Sequence, residues 1–126
     1  MEKDYDNWNI NKKRLSISDR VYFRKGDIWF ASIGKNIGDE EDGKNPNFER
    51  PILIIRKFNN NIFLGIPITS QEKEGKYYYK INSSNNNSTA ILSQVRLLDA
   101  KRLLRFIKRI DNKEVIEIKL KMNKII

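Results

Sequence analysis

The stretch "RPILIIRKFNNNIFLGIPIT", residues 50–69, contains two apolar runs separated by a polar hexapeptide. The runs at residues 52–55 and 62–68 are rich in isoleucine, a β-branched residue that strands favour. The connecting "RKFNNN" ends in three asparagines, which tolerate the positive φ angles of tight turns. The stretch therefore predicts a β-hairpin with two buried strands.

The first two residues of this stretch differ in how well they suit the start of a buried strand. Pro51 suits the first position of a strand, because it has no N–H for the ladder and fixes the chain on entry. Arg50 has no such structural reason, since its guanidinium must stay hydrated or meet an anion. A cation at the mouth of a rigid element is well placed to meet a substrate phosphate.

The chain on the N-terminal side of the hairpin contains one further strand and two polar segments. "KGDIWFASI", residues 25–33, begins with a Gly-Asp turn signal and predicts a strand. Alternation puts one set of side chains on one face and a second set on the other: Ile28, Phe30 and Ser32 against Trp29, Ala31 and Ile33. Residues 34–49, with three glycines, a proline and an acid cluster, predict a long loop. Residues 1–20 predict a short helix docked by Trp8, or a mobile arm.

On the C-terminal side, the pattern predicts several short strands and two helical segments. Residues 77–81 and 89–99 predict strands, joined by the polar loop 82–88. Asp99 can cap a short helical turn, and a brief strand is expected at residues 106–110. Apolar spacing after Asp111 predicts a C-terminal helix. The chain is thus expected to have a polar N-terminal segment, residues 1–20, and one mainly β domain, residues 21–126. Many short strands and few helices favour a small barrel or sandwich.

Composition narrows the classes of function. With 126 residues and 39% hydrophobic content, the chain suits a single modest core. Twenty-five Lys and Arg against 16 Asp and Glu give a net charge of +9, which attracts polyanions. Nucleic acid is the favoured polyanion, and the alternative is that basicity serves solubility alone.

Two absences in the sequence exclude much chemistry. The chain has no cysteine, so it has neither disulfides nor thiolates, and no histidine, the usual acid–base residue and metal ligand. No apolar stretch approaches the ~20 residues that span a bilayer, and the N-terminus lacks a secretory pattern. These features predict a soluble cytoplasmic protein without a membrane partner.

Five landmarks occur in an order typical of one family. They are "GDIWFASIG", "GDEEDGK", "FERPILII", "IPITSQ" and "AILSQVRLLDAKRL", from about Gly26 to Ile118. In this order the chain resembles the MazF/PemK toxins of bacterial type II toxin–antitoxin systems. The resemblance implies an SH3-like β-barrel with peripheral helices, usually a homodimer, that cleaves single-stranded RNA without a metal or other cofactor. It also implies silencing by a cognate acidic antitoxin, with which such toxins bind DNA.

The resemblance assigns roles to particular residues of this sequence. Its catalytic arginine falls on Arg50 and its catalytic threonine on Thr69. Contacts with RNA are expected from five further residues: Ser70, Gln71, Gln94, Lys44 and Arg96. The cleavage that the family carries out leaves a 2′,3′-cyclic phosphate and a 5′-OH.

The chemistry of the two catalytic candidates suits this reaction. In metal-free cleavage the substrate's own 2′-OH attacks the adjacent phosphate, so the enzyme must move two protons and stabilise the charge of the phosphorane. Arg50 offers a planar fork of donors for the nonbridging oxygens, and Thr69 can donate its hydroxyl to the same phosphate. The alternatives are a surface salt bridge for Arg50, to Glu49 or the acid cluster, and a turn-bonding role for Thr69.

Other polar and aromatic groups have two readings each. The acid cluster, residues 39–42, offers oxygen ligands for Mg²⁺, but four consecutive acids in a loop do not converge on one centre, so no metal site is predicted. The basic run at residues 101–109 either continues the RNA path or is a solvated helix face. Residues 77–79 are three tyrosines, of which at least one should face outward, for base stacking, core packing or a dimer interface.

Two functions of other classes remain open from the sequence. The same barrel occurs in a related toxin that poisons DNA gyrase by binding, so the chain could be a binding module without catalysis. It could also be a passive basic RNA-binding domain. The RNA sequence that is recognised depends on the loops at residues 34–49 and 82–88, whose geometry the sequence does not define.

Overall fold

The computed structural model describes residues 21–33, 49–82 and 87–126. The expectations for residues 1–20, for Lys44, for the acid cluster and for most of the predicted 34–49 loop lie outside the described residues, as do residues 83–86.

Seven antiparallel strands and one α-helix make up the described fold. The strands are β1 Asp27–Ser32, β2 Glu49–Lys57, β3 Ile62–Thr69, β4 Tyr78–Lys80, β5 Thr89–Ile91, β6 Arg96–Asp99 and β7 Leu103–Arg109. The helix α1 spans Asn112–Asn123, and two 3-10 turns span Leu92–Gln94 and Ala100–Arg102. The strand order is β4-β5-β3-β2-β1-β7, and β6 pairs with β3 beside this path.

The predicted hairpin is present as β2 and β3. The two strands pair antiparallel from Ile52, which lies opposite Pro67, to Lys57, which lies opposite Phe63. Strand β2 begins at Glu49, earlier than predicted, so Pro51 is its third residue and not its first. Pro51 lies opposite Phe30 of β1, and the register with β3 starts only one residue later. The proline therefore occupies a part of β2 where the ladder to β3 has not yet begun.

The two faces of the hairpin support two core clusters. The alternation predicted for β1 is confirmed, because Ile28 belongs to one cluster and Trp29, Ala31 and Ile33 belong to the other. The first cluster also contains Val115 and Ile118, so helix α1 covers that face. The site at the end of the hairpin is thus built on strands that are buried on both sides.

The segment at residues 89–99, predicted as one strand, is divided in the structure. Strand β5 pairs with the end of β3, where Thr89 lies opposite Thr69, whereas β6 pairs with its beginning, where Arg96 lies opposite Gly65. Between them the 3-10 turn buries Leu92 in the first core cluster. The chain leaves the ladder there because the Leu92 side chain is drawn into the core.

The C-terminal elements agree with the predictions except in their bounds. Asp99 accepts a hydrogen bond from the Lys101 backbone N–H at 2.8 Å and so caps the short turn. Strand β7 starts at Leu103, before the predicted residue 106. Helix α1 follows Asp111, which caps it through its backbone carbonyl and not through its side chain.

Helix α1 is fastened to β4 by a polar contact. The Tyr79 hydroxyl lies 2.8 Å from Glu117 Oε2 and 3.2 Å from Glu114 Oε1, and Glu114 also accepts from the Asn82 N–H at 2.6 Å. Burial, the hydrogen bond with Glu117 and the nearby carboxylates raise the pKa of Tyr79 well above its ordinary value. Tyr79 is thus a protonated donor at neutral pH. Within the described residues, no helix has the length and apolarity that a bilayer crossing requires.

The architecture confirms a mainly β fold of the predicted barrel-like type with a C-terminal helix. Register shifts occur between Ile28 and Trp29, between Phe30 and Ala31, and between Ile54 and Arg56. Such bulges bend strands and increase their twist, which curls the sheet. In the described part of the chain, no pairing joins β4 to β7, so the sheet is curved but not closed there.

Candidate active site

Arg50 and Thr69 lie next to each other at the end of the hairpin away from its turn. Continuing the register from Ile52 and Pro67 by two residues brings Arg50 opposite Thr69 on the same face of the sheet. The Arg50 side chain also reaches the residue before Thr69, because its Nη2 donates a hydrogen bond to the Ile68 carbonyl oxygen at 3.1 Å. The hairpin therefore places a guanidinium and an alcohol, the two catalytic candidates, side by side.

The environment of Arg50 differs from the hydrated one expected from the sequence. Only 1% of the residue is exposed, and the Ile68 backbone carbonyl accepts a hydrogen bond from its guanidinium. Neighbouring Glu49 pairs with Arg105 at 3.0 Å. Burial lowers the local dielectric constant, so a phosphate reaching this guanidinium would feel a strong attraction. The Ile68 contact also fixes the plane of the donors, which is the preorganisation that electrostatic catalysis requires.

Thr69 is also buried, and its hydroxyl has a local partner. The residue is 1% exposed, and its Oγ1 accepts a hydrogen bond from the Gln71 backbone N–H at 3.2 Å. This is the turn-bonding role raised as an alternative from the sequence. It does not exclude catalysis, because a hydroxyl that accepts one bond still has its own hydrogen to donate. The Gln71 contact orients the oxygen and leaves that hydrogen for another acceptor.

A cavity of about 350 Å³ opens beside this pair. Its lining includes Pro51, Thr69, Ser70 and Lys108, together with aliphatic and aromatic side chains. The volume lies within the range of ordinary ligand pockets. Arg50 does not line this cavity. Pro51, which follows Arg50, and Thr69, which follows Ile68, both line it. Lys108 adds a cation to the wall, which favours an anionic ligand.

Of the other described residues predicted to contact RNA, two follow the end of the hairpin and two lie outside it. Ser70 and Gln71 directly follow Thr69 and are exposed. Gln94 is half-buried on the 3-10 turn. Arg96 lies opposite Gly65, four residues before Thr69 on β3 and thus about 13 Å away along the strand. The structure therefore groups Ser70 and Gln71 with Thr69 and places Arg96 elsewhere.

One interpretation of the basic run at residues 101–109 was a solvated helix face. The structure shows that this interpretation is wrong. The run lies on a 3-10 turn and on strand β7. Arg102 donates to the Ser32 carbonyl oxygen at 3.0 Å, and Arg109 pairs with the buried Asp27 at 2.7 Å. These arginines hold β7 against β1. Among the basic residues of this run, Lys108 lines the cavity.

Two lining residues, Asn87 and Ser88, belong to the 82–88 loop on which RNA recognition was expected to depend, but neither was singled out from the sequence. They reach the cavity because β5 pairs with the end of β3, and no local pattern reveals a contact of that kind. Within the described ranges, no group of three or more Asp, Glu, His or Cys side chains is placed to hold a metal ion.

Comparison with known proteins gives one family and several structures. Residues 24–126 match the family described as PemK-like, MazF-like toxin of type II toxin-antitoxin system. No curated protein sequence matches the chain significantly.

The similar solved structures share the fold at low sequence identity. MazF (Form-I) from Deinococcus radiodurans has a TM-score of 0.64 at 15% identity, over 83% of this chain and 97% of that one. An endoribonuclease in complex with its cognate antitoxin from a mycobacterial species has a TM-score of 0.64 at 9% identity, over 82% and 93% of the two chains. MazE-MazF (Form-II) from Deinococcus radiodurans has a TM-score of 0.60 at 13% identity, over 83% and 95%.

Proposed function

This chain belongs to the PemK-like, MazF-like toxins of type II toxin–antitoxin systems, and from that premise we propose that it is an endoribonuclease for single-stranded RNA. The observation that carries the proposal is the placement of Arg50 opposite Thr69 when the hairpin register is continued, with the guanidinium held by the Ile68 carbonyl at 3.1 Å. Since its substrate would be messenger RNA, the proposed place of action is the cytoplasm.

The proposed reaction uses the nucleophile of the substrate. The ribose 2′-oxygen forms a bond to phosphorus while the bond from phosphorus to the 5′-oxygen breaks, which leaves a 2′,3′-cyclic phosphate and a 5′-OH. Negative charge grows on the two nonbridging oxygens as the phosphorane forms. Arg50, which is buried and permanently charged, stabilises that charge.

Thr69 supplies a second donor to the phosphate. Its oxygen is oriented by the Gln71 N–H, so its hydrogen can be directed at a nonbridging oxygen without reorganisation. Histidine does not occur in the sequence, so proton transfer to and from the ribose oxygens falls to water or to another side chain. The role assigned to the pair is accordingly charge stabilisation and positioning.

Cleavage in excess EDTA tests the proposed mechanism. Purified protein is expected to cut a mixed single-stranded transcript equally well with and without the chelator, because the charge stabilisation comes from side chains. Mapping the ends should give a 2′,3′-cyclic phosphate and a 5′-OH. A requirement for Mg²⁺, or ends with a 5′-phosphate, would show a different mechanism. Binding of the transcript without any cut would leave a passive RNA-binding domain.

We also propose that the protein forms a homodimer and binds an acidic antitoxin. Edge strand β7 exposes three large apolar side chains, Leu104, Phe106 and Ile107, in a pattern that association would cover. Ile107 also lines the cavity, so a second copy on β7 would complete a groove beside it. The net charge of +9 suits an acidic peptide that competes with RNA.

Light scattering of the purified protein is expected to give the mass of a dimer, and Phe106→Glu is expected to give a monomer. The glutamate would place a charge in the apolar interface, which associating surfaces exclude from their core. Lys113→Glu serves as the control, because it introduces a glutamate on the exposed first turn of α1, and this variant should remain dimeric. A monomeric unsubstituted protein would contradict the proposal.

A further inference from the structure

A second cavity, of about 460 Å³, lies at the other end of β2. Its lining consists of five cationic residues and two aromatic ones: Arg24, Lys25, Arg56, Lys57, Lys119, Tyr22 and Phe23. We call the five cationic residues the Lys119 cluster. Arg56 follows Arg50 by six residues on the same strand, so the cluster lies about 20 Å along β2 from the candidate active site.

The charge of the Lys119 cluster is not balanced locally. No carboxylate lines the cavity, and among the described residues no Asp or Glu forms a salt bridge with any member of the cluster. Lys57 donates to the Phe23 carbonyl oxygen at 2.9 Å, a contact that holds the ammonium in place without neutralising it. Cations from residues far apart in the sequence are thus brought together around one open space.

Two charges of the cluster act on Lys119, together with its partial burial. Partial burial, followed by the positive charges of Lys25 and Arg56, lowers the pKa of Lys119 below its ordinary value. A lowered lysine pKa means that the charged form of Lys119 is less favoured in the folded protein than in the unfolded chain. An anion bound in the cavity would reverse this effect.

The aromatic residue beside the cluster indicates the kind of anion. Tyr22 is 69% exposed, and the Arg24 guanidinium and the Lys57 ammonium both lie 5.0 Å from the centre of its ring. Cations along a groove with an exposed aromatic plane are the combination by which proteins hold single-stranded nucleic acid, through phosphates and stacked bases.

We propose that the Lys119 cluster is a second RNA-binding site, which holds the backbone of the substrate away from the bond that is cut. This inference rests on the proposed function, because it assumes that RNA occupies the active site at the other end of β2. Since β2 is a rigid part of the sheet, the two sites are held at a fixed separation. Phosphate contacts carry no base information, so the second site should increase affinity for long RNA without changing the cleavage sequence.

The test compares two substrates and two double variants. The substrates are a minimal cleavable oligonucleotide and the same oligonucleotide with long single-stranded tails. Lys25→Gln/Arg56→Gln removes two charges from the cluster, and Lys113→Gln/Lys124→Gln removes two exposed charges elsewhere. The cluster variant is expected to have a KM for the tailed RNA that is raised roughly tenfold and a KM for the minimal substrate that is unchanged. The slope of log affinity against log salt should fall by about 1.4 for two lost phosphate contacts.

A second measurement separates binding from stability. Lys119→Gln is expected to raise the melting temperature of the free protein, because it removes a disfavoured charge. It should also reduce the increase in melting temperature that a tailed, uncleavable 2′-deoxy analogue produces. If Lys119 had only a structural role, its replacement would not raise the melting temperature of the free protein and at the same time reduce the increase that the analogue produces.

The outcomes distinguish this inference from the proposed function. Unchanged KM for tailed RNA and an unchanged salt slope in the cluster variant would overturn the second site while cleavage stands. If the unsubstituted protein cuts neither substrate, the nuclease proposal fails, and the deoxy analogue still shows whether the cluster binds a strand. Stabilisation by polyglutamate but not by the analogue would assign the cluster to an acidic peptide and overturn the proposal.

Discussion

Replacement of Arg50 by alanine is expected to reduce RNA cleavage by about 10³-fold or more. The side chain is a buried cation held by the carbonyl of Ile68, the residue before Thr69, and no water molecule can supply an equivalent charge to the phosphorane. Cleavage rates on a single-stranded RNA at saturating concentration measure the loss. Because the effect is on charge that develops in the transition state, the rate at saturation should fall more than the affinity for RNA.

Burial of Arg50 requires controls for folding. Arg50→Met keeps much of the side-chain volume without the charge, and its circular dichroism and melting curve show whether the sheet is intact. Arg50→Lys keeps a charge but loses the planar fork, so its activity should lie between those of the arginine and methionine forms. Full cleavage by a folded methionine variant would remove Arg50 from the mechanism.

The hydroxyl of Thr69 is expected to contribute about 10²-fold to the rate. Thr69→Val preserves the branched shape at a buried position and removes only the donor, so it should lower cleavage by that factor. The loss of the Gln71 contact should cost about 1 kcal/mol of stability, since that N–H lies next to solvent. Kinetics and urea unfolding of the same preparation separate the two effects.

Thr69→Ser is the matched variant, because it retains the hydroxyl and loses only a methyl group. Its cleavage rate should lie within about tenfold of that of the unsubstituted protein. If serine and valine are equally inactive, packing around the methyl group and not hydrogen bonding explains the effect. If both are fully active, the threonine serves the turn alone.

The hairpin and the C-terminal helix could be predicted because their signals are local. Two continuous apolar runs around an asparagine turn favour β2 and β3, and the spacing of apolar residues after Asp111 favours α1. The division of residues 89–99 could not be predicted, because the turn there depends on Leu92 entering a core that other strands form. Local propensity does not contain that information.

The candidate site was predictable in part. The resemblance to a family directed attention to Arg50 and Thr69, and the register of the hairpin explains why they are adjacent. The burial of Arg50 was not foreseen, since an arginine at the start of a strand normally stays in water. The Lys119 cluster was not foreseen either, because its members come from three separate segments of the chain and the most visible basic run lies elsewhere.

Strand β3 has different partners along its two edges, and under the proposed function this division would separate chemistry from recognition. One edge is bound to β2, which sets the alignment of Arg50 with Thr69, whereas the other edge is shared by β5 and β6. Substitutions in the loop that leads into β5 can therefore accumulate without moving the alignment set by β2. If the proposed function holds, a lineage of such toxins could acquire new target sequences while the residues that cut RNA keep their alignment.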